Sequence, residues 1–193
     1  MKICCVGRNY REHAAELKNE VPSEPVIFMK PATALLPAGA AMKIPWFTDD
    51  LHYECEVVLR IGRTVKNITA EEARTCIDGV TLGIDFTARD LQQQLKQKGL
   101  PWELAKAFDY SAVIGTWQPI ATAGPWQFTL EKNGILVQAG DTRDCLFAYD
   151  TLIAYISRYI TLEAGDLLFT GTPAGVGPVQ VGDLNNSSIL SGN

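Results

Sequence analysis

Apolar and polar positions along this chain fall into short runs, many with the two-residue period of a strand. Ile3-Cys4-Cys5-Val6 reads as an opening strand. Asn9 with Glu12 three residues later resembles a helix N-cap, so a short helix should follow. On it Tyr10, Ala14 and Leu17 share one side, whereas His13 and Glu16 meet on another. Pro22, Pro25, Pro31, Pro37 and Pro45 punctuate the region around Val26-Ile27-Phe28-Met29-Lys30 and limit it to short strands and loops. A strand is expected over residues 51 to 62, and a helix from Thr69 to Ile77 behind a capping box at Thr69-Ala70-Glu71-Glu72. Another strand ends at Asp85. Thr87-Ala88-Arg89-Asp90 repeats the cap pattern and opens a polar helix, Leu91 to Lys98, closed by Gly99 and Pro101 and carrying Arg89, Gln92 and Lys96. Trp126 to Leu136 predicts a hairpin turning at Asn133-Gly134. Leu152, Ile156 and Tyr159 recur at helical spacing, so that face of a third helix is assigned to the core. Leu167 to Thr170 is a buried-strand run feeding the loop Gly171-Thr172-Pro173-Ala174-Gly175-Val176-Gly177-Pro178.

The alternation acquires chemical meaning at His52-Tyr53-Glu54-Cys55-Glu56. Side chains of a strand alternate faces, so Glu54 and Glu56 project together while Tyr53, Cys55 and Val57 project oppositely. Two adjacent carboxylates repel, and a hard divalent cation such as Mg²⁺ or Mn²⁺ is the simplest compensation. Asp85 offers a third oxygen ligand from a strand where it shares a face with Thr81 and Gly83, and Gly83 would leave room for a ligand. The plainer alternative is the wet face of an edge strand. His52 falls on the glutamate face, so a softer zinc or iron site competes; the hard ion is favoured because no second His or nearby Cys pair joins it. The glycines of the 171–178 loop either let backbone N–H groups approach a small anion or simply form turns. The loop lacks the Lys-Ser/Thr of a phosphate-binding loop, which argues against a nucleotide site.

Composition narrows the classes further. At 193 residues the chain suits one domain with a substantial core. A mean hydropathy of +0.02 indicates an ordinary soluble protein, and a net charge of −5 without a basic patch disfavours nucleic acid as a partner. The five cysteines are scattered without a C-x-x-C pair, which fits a reducing compartment. The opening apolar run is too short for a signal peptide, and no segment reaches transmembrane length. The expected location is the cytoplasm, with no membrane partner.

Several motifs together resemble the fumarylacetoacetate hydrolase superfamily. They are Gly7-Arg8-Asn9-Tyr10 with His13 and Glu16, Phe28-Met29-Lys30-Pro31, His52-x-Glu54-x-Glu56, and Asp85-x-Thr87-x-Arg89-Asp90 with Gln92. Gly99-Leu100-Pro101-Trp102, Lys106-Ala107-Phe108-Asp109 and Gly165-Asp166 leading into Phe169 to Gly177 continue the series. The likeness spans residue 3 to about 183 and is strongest to single-domain acylpyruvases that also decarboxylate oxaloacetate. It implies an α+β, mostly β fold, a mixed β-sandwich roll with a few short peripheral helices, usually a homodimer. It implies one Mg²⁺ or Mn²⁺ held by Glu54, Glu56 and Asp85, in agreement with the strand pattern. It also assigns His13 and Glu16 to a catalytic pair on a short helix that orders over the site when substrate binds. Lys106, catalytic and substrate-contacting, would join Arg8, Arg89, Gln92 and Thr172 around a small-molecule substrate.

The implied chemistry is hydrolysis of the carbon–carbon bond of a 2,4-dioxo acid, with His13 activating water, the cation acting as Lewis acid toward an enolate, and oxaloacetate decarboxylation using the same electron sink. A hydroxy-diene diacid isomerase or decarboxylase, or a non-catalytic metal-stabilised binder, are the rivals. Without the likeness, His13 and Glu16 would be a solvated helix pair, Lys106, Arg89 and Gln92 ordinary surface positions, and Trp102 core or lid packing. Residues 1–183 form the expected catalytic domain. Residues 184–193 are polar and lack strand alternation; they are expected to be a disordered tail leaving a sheet edge for a dimer or partner to cover.

Overall fold

The computed structural model describes residues 1–16, 20–120 and 124–191. Leu17, and residues 192 and 193 of the tail, therefore lie outside the described residues. The chain runs β1 (Ile3–Gly7), α1 (Arg11–Glu16), β2 (Val26–Lys30), β3 (Leu51–Tyr53), β4 (Cys55–Ile61), α2 (Ala70–Ala73) and β5 (Ile77–Asp85). There follow β6 (Thr87–Ala88), α3 (Arg89–Gln97), α4 (Glu103–Lys106), β7 (Ala112–Ile114) and β8 (Gln118–Pro119). The remainder is β9 (Trp126–Lys132), β10 (Ile135–Asp141), α5 (Tyr149–Tyr159), β11 (Leu167–Phe169), β12 (Gly177–Pro178) and β13 (Asn185–Ser191). Strands dominate and the helices are short, as expected.

The main mixed sheet has the order β2-β1-β11-β4-β5-β7, with β8 also on β5. Strand β1 runs parallel to β11 and antiparallel to β2, so residues over 160 positions apart meet at the sheet centre. Both faces are covered. Cys4, Val6, Val57, Leu59 and Leu82 pack with Trp126, Phe128 and Leu130 of the β9–β10 hairpin and with Leu152, Ile153 and Ile156 of α5. On the other face Ile3, Cys5, Val58, Leu167 and Phe169 form a second cluster with Phe28. This explains why β1 and β11 read as continuous apolar runs.

Local signals were legible. The Thr69 capping box is present, with Thr69 and Glu72 exchanging side-chain-to-backbone bonds. Asn133 and Gly134 carry the positive φ values (54° and 77°) of a two-residue hairpin turn. Other expectations are corrected by tertiary partners. The strand over 51–62 is two strands broken at Glu54. The helix after Thr69 ends at Ala73, and Ile77 already opens β5. Asn9 does not cap α1; its amide donates to the Phe147 and Thr170 carbonyls and accepts from Phe147 N–H, pinning the β1–α1 turn to the sheet's far loops. Thr87 caps nothing either, because α3 begins beyond Ala88 without a side-chain cap. Tyr159 is 68% exposed and is not core.

The tail differs most. Residues 185–191 pair antiparallel with β9 along seven positions, from Asn185 opposite Lys132 to Ser191 opposite Trp126. The expected disordered tail is overturned: β9 supplies a complete backbone ladder, Thr129 and Ser188 share a cross-strand hydroxyl bond of 2.8 Å, and Ile189 reaches the main core. Pairing outweighs the poor strand propensity of Asn and Ser.

Gly83 leaves no room for a ligand. A Cβ there would stand 2.7 Å from the Val113 carbonyl oxygen, 2.7 Å from Val58 Cγ2 and 2.8 Å from Phe169 Cε1. Gly83→Ala should therefore cost about 1–3 kcal/mol by overpacking. Urea unfolding would measure it as a lower midpoint at constant slope, and an unchanged midpoint would refute this account.

Candidate active site

The break between β3 and β4 brings the acidic residues together. Asp85 N–H donates to the Glu54 carbonyl at 2.8 Å, and the β4–β5 register sets Glu56 opposite Gly83. Carboxylate oxygens of Glu54, Glu56 and Asp85 lie within 4.8 Å of one another, and all three side chains are buried.

Their charges are compensated unequally. Lys106 Nζ donates to Glu54 at 2.8 Å, to Asp85 at 2.7 Å and to the Thr87 hydroxyl at 2.6 Å. Arg89 donates one N–H to Glu54 and another to Gln92 Oε1. Lys30, almost fully buried, stands 2.7 Å from Asp85 and binds the Lys106 carbonyl and both oxygens of Ser111. Burial alone would raise the Glu54 carboxyl, but Lys106, then Arg89 and His13, hold it well below the carboxylate range. Burial lowers the Lys106 ammonium, yet Asp85 and Glu54 more than offset this and raise it. Glu56 is the exception. Its carboxylate accepts one N–H, from Gly171 at 2.7 Å, and burial followed by Asp85 and Glu54 pushes it well above its ordinary range. An all-oxygen cluster with one carboxylate that has no ion pair among the described residues fits a hard divalent ion.

His52 does not join this cluster. Its Nε2 pairs with Asp50 Oδ1 at 2.8 Å, so the cluster offers carboxylate oxygens without His52 among the described residues.

A cleft opens on the carboxylates, and Arg8, His13, Arg89, Gln92, Lys106 and Thr172 all line it. Helix α1 is seated over it, with His13 Nδ1 3.3 Å from Glu16 Oε2. Glu16 Oε1 accepts the Gly175 N–H at 3.1 Å. The loop glycines thus aim their N–H groups at protein carboxylates: Gly171 at Glu56 and Gly175 at Glu16, each with φ near 100° (101° and 95°) that only glycine adopts readily. Two expected contacts are modified by bonding within the protein. The three Lys106 donors are all committed to Glu54, Asp85 and Thr87, which leaves its positive field rather than a free N–H to offer a ligand. Thr172 donates its only hydroxyl proton to the Cys55 carbonyl at 2.8 Å.

Lys30, Lys96 and Trp102 escaped the residue-level reading. Lys30 ends an apolar strand run, the one local hint that its ammonium is buried. Lys96 and Trp102 line the cleft, and Trp102 both walls it and packs against the Phe28 cluster, as its expected packing role requires. Among the described residues, no helix is long and apolar enough to cross a membrane.

Comparison with known proteins agrees with this architecture. The model of the C-terminal domain of fumarylacetoacetate hydrolases matches residues 2–191. A mitochondrial oxaloacetate tautomerase of Homo sapiens is 42% identical over 184 residues, covering 94% of this chain and 83% of that protein. An oxaloacetate tautomerase of Escherichia coli (strain K12) is 44% identical over 186 residues, covering 94% and 85%. The crystal structure of a fumarylpyruvate hydrolase from Pseudomonas aeruginosa in complex with Mn²⁺ and pyruvate superposes with a TM-score of 0.91 at 38% identity, covering 98% of this chain and 84% of that one.

The unequal compensation separates the two glutamates experimentally. In EDTA, Glu54→Gln should destabilise by about 3 kcal/mol because Arg89 loses its buried carboxylate and Lys106 one of two. Glu56→Gln should match or exceed wild-type stability, and both variants should lose the rise in melting temperature produced by Mn²⁺. Equal damage from the two substitutions in EDTA would contradict the charge assignment.

Proposed function

The chain belongs to the fumarylacetoacetate hydrolase family, and from that premise we propose that its cleft generates and stabilises the enolate of a 2-oxo acid. The reactions are hydrolysis of the carbon–carbon bond of acylpyruvates, and tautomerisation and decarboxylation of oxaloacetate. The observation that carries this reading is the set of three buried carboxylates within 4.8 Å, sharing one cleft with His13, whose partner Glu16 stands outside the lining. The names of the relatives support it, since a tautomerase and a hydrolase of 2-oxo acids are two outlets of one enol.

Glu54, Glu56 and Asp85 would hold Mg²⁺ or Mn²⁺, which supplies Lewis acidity toward the carboxylate and 2-oxo group of the substrate. Glu16 accepting from His13 Nδ1–H leaves the Nε2 lone pair as the base. Burial, opposed by Glu54 and Glu16, lowers the His13 pKa, so the ring is neutral at neutral pH and competent to take a proton. In hydrolysis it takes one from water attacking the distal carbonyl; the carbon–carbon bond then breaks, the acyl carbon leaves as a carboxylic acid, and the electron pair becomes the enolate of pyruvate. In tautomerisation His13 exchanges a C3 proton of oxaloacetate. Decarboxylation yields the same enolate and requires no attacking water. Gln92 accepts from Arg89 through its carbonyl, which leaves its amide N–H groups for the substrate, while Lys106 contributes positive field where charge develops.

The homodimer belongs to the same proposal, supported by an exposed apolar groove that includes Met29, Phe47, Leu91 and Phe108 and is flanked by Trp46, which is 95% exposed. All five cysteines are free thiols, which supports a reducing compartment such as the cytoplasm.

The deciding assay is pyruvate release from acetylpyruvate and from oxaloacetate, with keto–enol exchange of oxaloacetate followed by ultraviolet absorbance, each with Mg²⁺, Mn²⁺ or EDTA. Metal-dependent turnover above the uncatalysed rate is expected; none, in folded protein that binds Mn²⁺, would overturn the reading. His13→Gln and Glu16→Ala should lower acetylpyruvate hydrolysis about a hundredfold or more and leave decarboxylation within about threefold. Hydrolytic kcat/KM should be level at neutral pH and fall as acid protonates His13, below the ordinary imidazole range.

A further inference from the structure

Lys30, Lys106 and Arg89 are all paired with the cleft carboxylates. Two further cations line the same cleft, Arg8 just after β1 and Lys96 on α3. Neither makes an ion pair among the described residues, and Arg8 Nε is buried with no hydrogen-bond partner. Both stand over one aromatic ring, with the Arg8 guanidinium carbon 5.9 Å and the Lys96 ammonium 5.2 Å from the Trp102 ring centroid. Arg8 is held there at φ 60°, a left-handed conformation disfavoured for a residue with a Cβ, and the neighbouring Asn9 anchors the turn that imposes it. On α3, Arg89, Gln92 and Lys96 recur at i, i+3 and i+7, so one helix face runs from the carboxylate cluster to the Trp102 wall. Burial, then repulsion from Arg8, Arg89 and Lys106, pushes Lys96 down to about 8 against the opposing pull of Glu54. Two mutually repelling cations converge where the described residues supply no paired carboxylate, and an anion from outside completes such a site.

We propose that Arg8 and Lys96, set over the face of Trp102, form a second anion subsite that reads the distal carboxylate of a 2-oxo dicarboxylic acid. The cleft thereby selects a diacid over a 2,4-dioxo acid with an uncharged acyl end. This deepens the enolate reading and rests on it for the placement of the 2-oxo acid end at the carboxylate cluster.

The test uses two non-reacting probes that differ only in the distal group: (S)-malate and (S)-2-hydroxybutyrate, which carries a methyl in place of the carboxylate. Calorimetric titration of the Mn²⁺-loaded protein should show malate binding about tenfold tighter or better. Lys96→Met, on a half-exposed helix position that the core does not need, should bring the ratio of the two dissociation constants close to one. Lys96→Arg should preserve it, and Arg8→Met should erode it where that variant folds. The wild-type preference should weaken above pH 8, where Lys96 discharges, and persist to higher pH in Lys96→Arg. A wild-type ratio near one, or a ratio unchanged in Lys96→Met, overturns the subsite. Oxaloacetate and acetylpyruvate turnover measured on the same samples separates the two levels. Loss of malate preference in Lys96→Met without turnover of either substrate by the wild type keeps the subsite and removes the enolate reading; turnover with an unaltered ratio does the reverse.

Discussion

Burying three carboxylates side by side is the constraint around which this molecule is arranged. Each ion taken from water costs several kcal/mol even after relaxation, and only close, well-satisfied partners recover that cost. The structure provides Lys106 between Glu54 and Asp85, Arg89 on Glu54, and Lys30 on Asp85. Lys30 in turn binds the Lys106 carbonyl and Ser111. One ammonium at the end of β2 thus ties that strand, the end of β5, helix α4 and the turn after it. Loosening any of these would leave a charge buried without a partner, so the cluster and the local fold stabilise each other.

The sheet is the frame that makes such precision attainable. Parallel pairing of β1 with β11 brings the α1 turn and the glycine loop to one end of the sheet, and the bonds from Asn9 to Phe147 and Thr170 fix their separation. The same loop then grips Glu56 through Gly171 and Glu16 through Gly175. Glycine at position 171 is demanded twice, by its φ of 101° and because a Cβ would stand 2.6 Å from Asn9 Cβ. His13, its partner Glu16 and the acidic cluster are therefore set by one rigid corner.

What the sequence disclosed depended on how far each signal reaches. The Asn133-Gly134 turn and the Thr69 capping box are decided within four residues and were legible. The pairing of Glu54 with Glu56 was legible from the strand period, and Asp85 from the run preceding it. Lys96, Asn9 and Lys30 were not, because each draws its role from partners far along the chain. Thr87 illustrates the competition: its position suits an N-cap, yet its hydroxyl accepts from Lys106 instead. The polar tail was misread for the same reason, since β9 supplies a backbone ladder that residue propensity does not reveal.

Charge arithmetic joins the cluster to the ligand. Glu54, Glu56 and Asp85 carry three negative charges when ionised, and Lys30, Lys106 and Arg89 carry three positive ones at contact distance. The set is balanced, so a divalent cation adds two uncompensated positive charges to a cleft that Arg8 and Lys96 already make positive. In a partly buried cleft such charges attract strongly at short range. An anionic ligand restores neutrality, and the cation and the acid it helps to activate become mutually stabilising. Linkage makes this reciprocal: a carboxylate ligand that binds better with the cation present must tighten the cation by the same factor. Under the proposed function, selectivity for an acid and retention of a hard ion would be two consequences of one electrostatic balance.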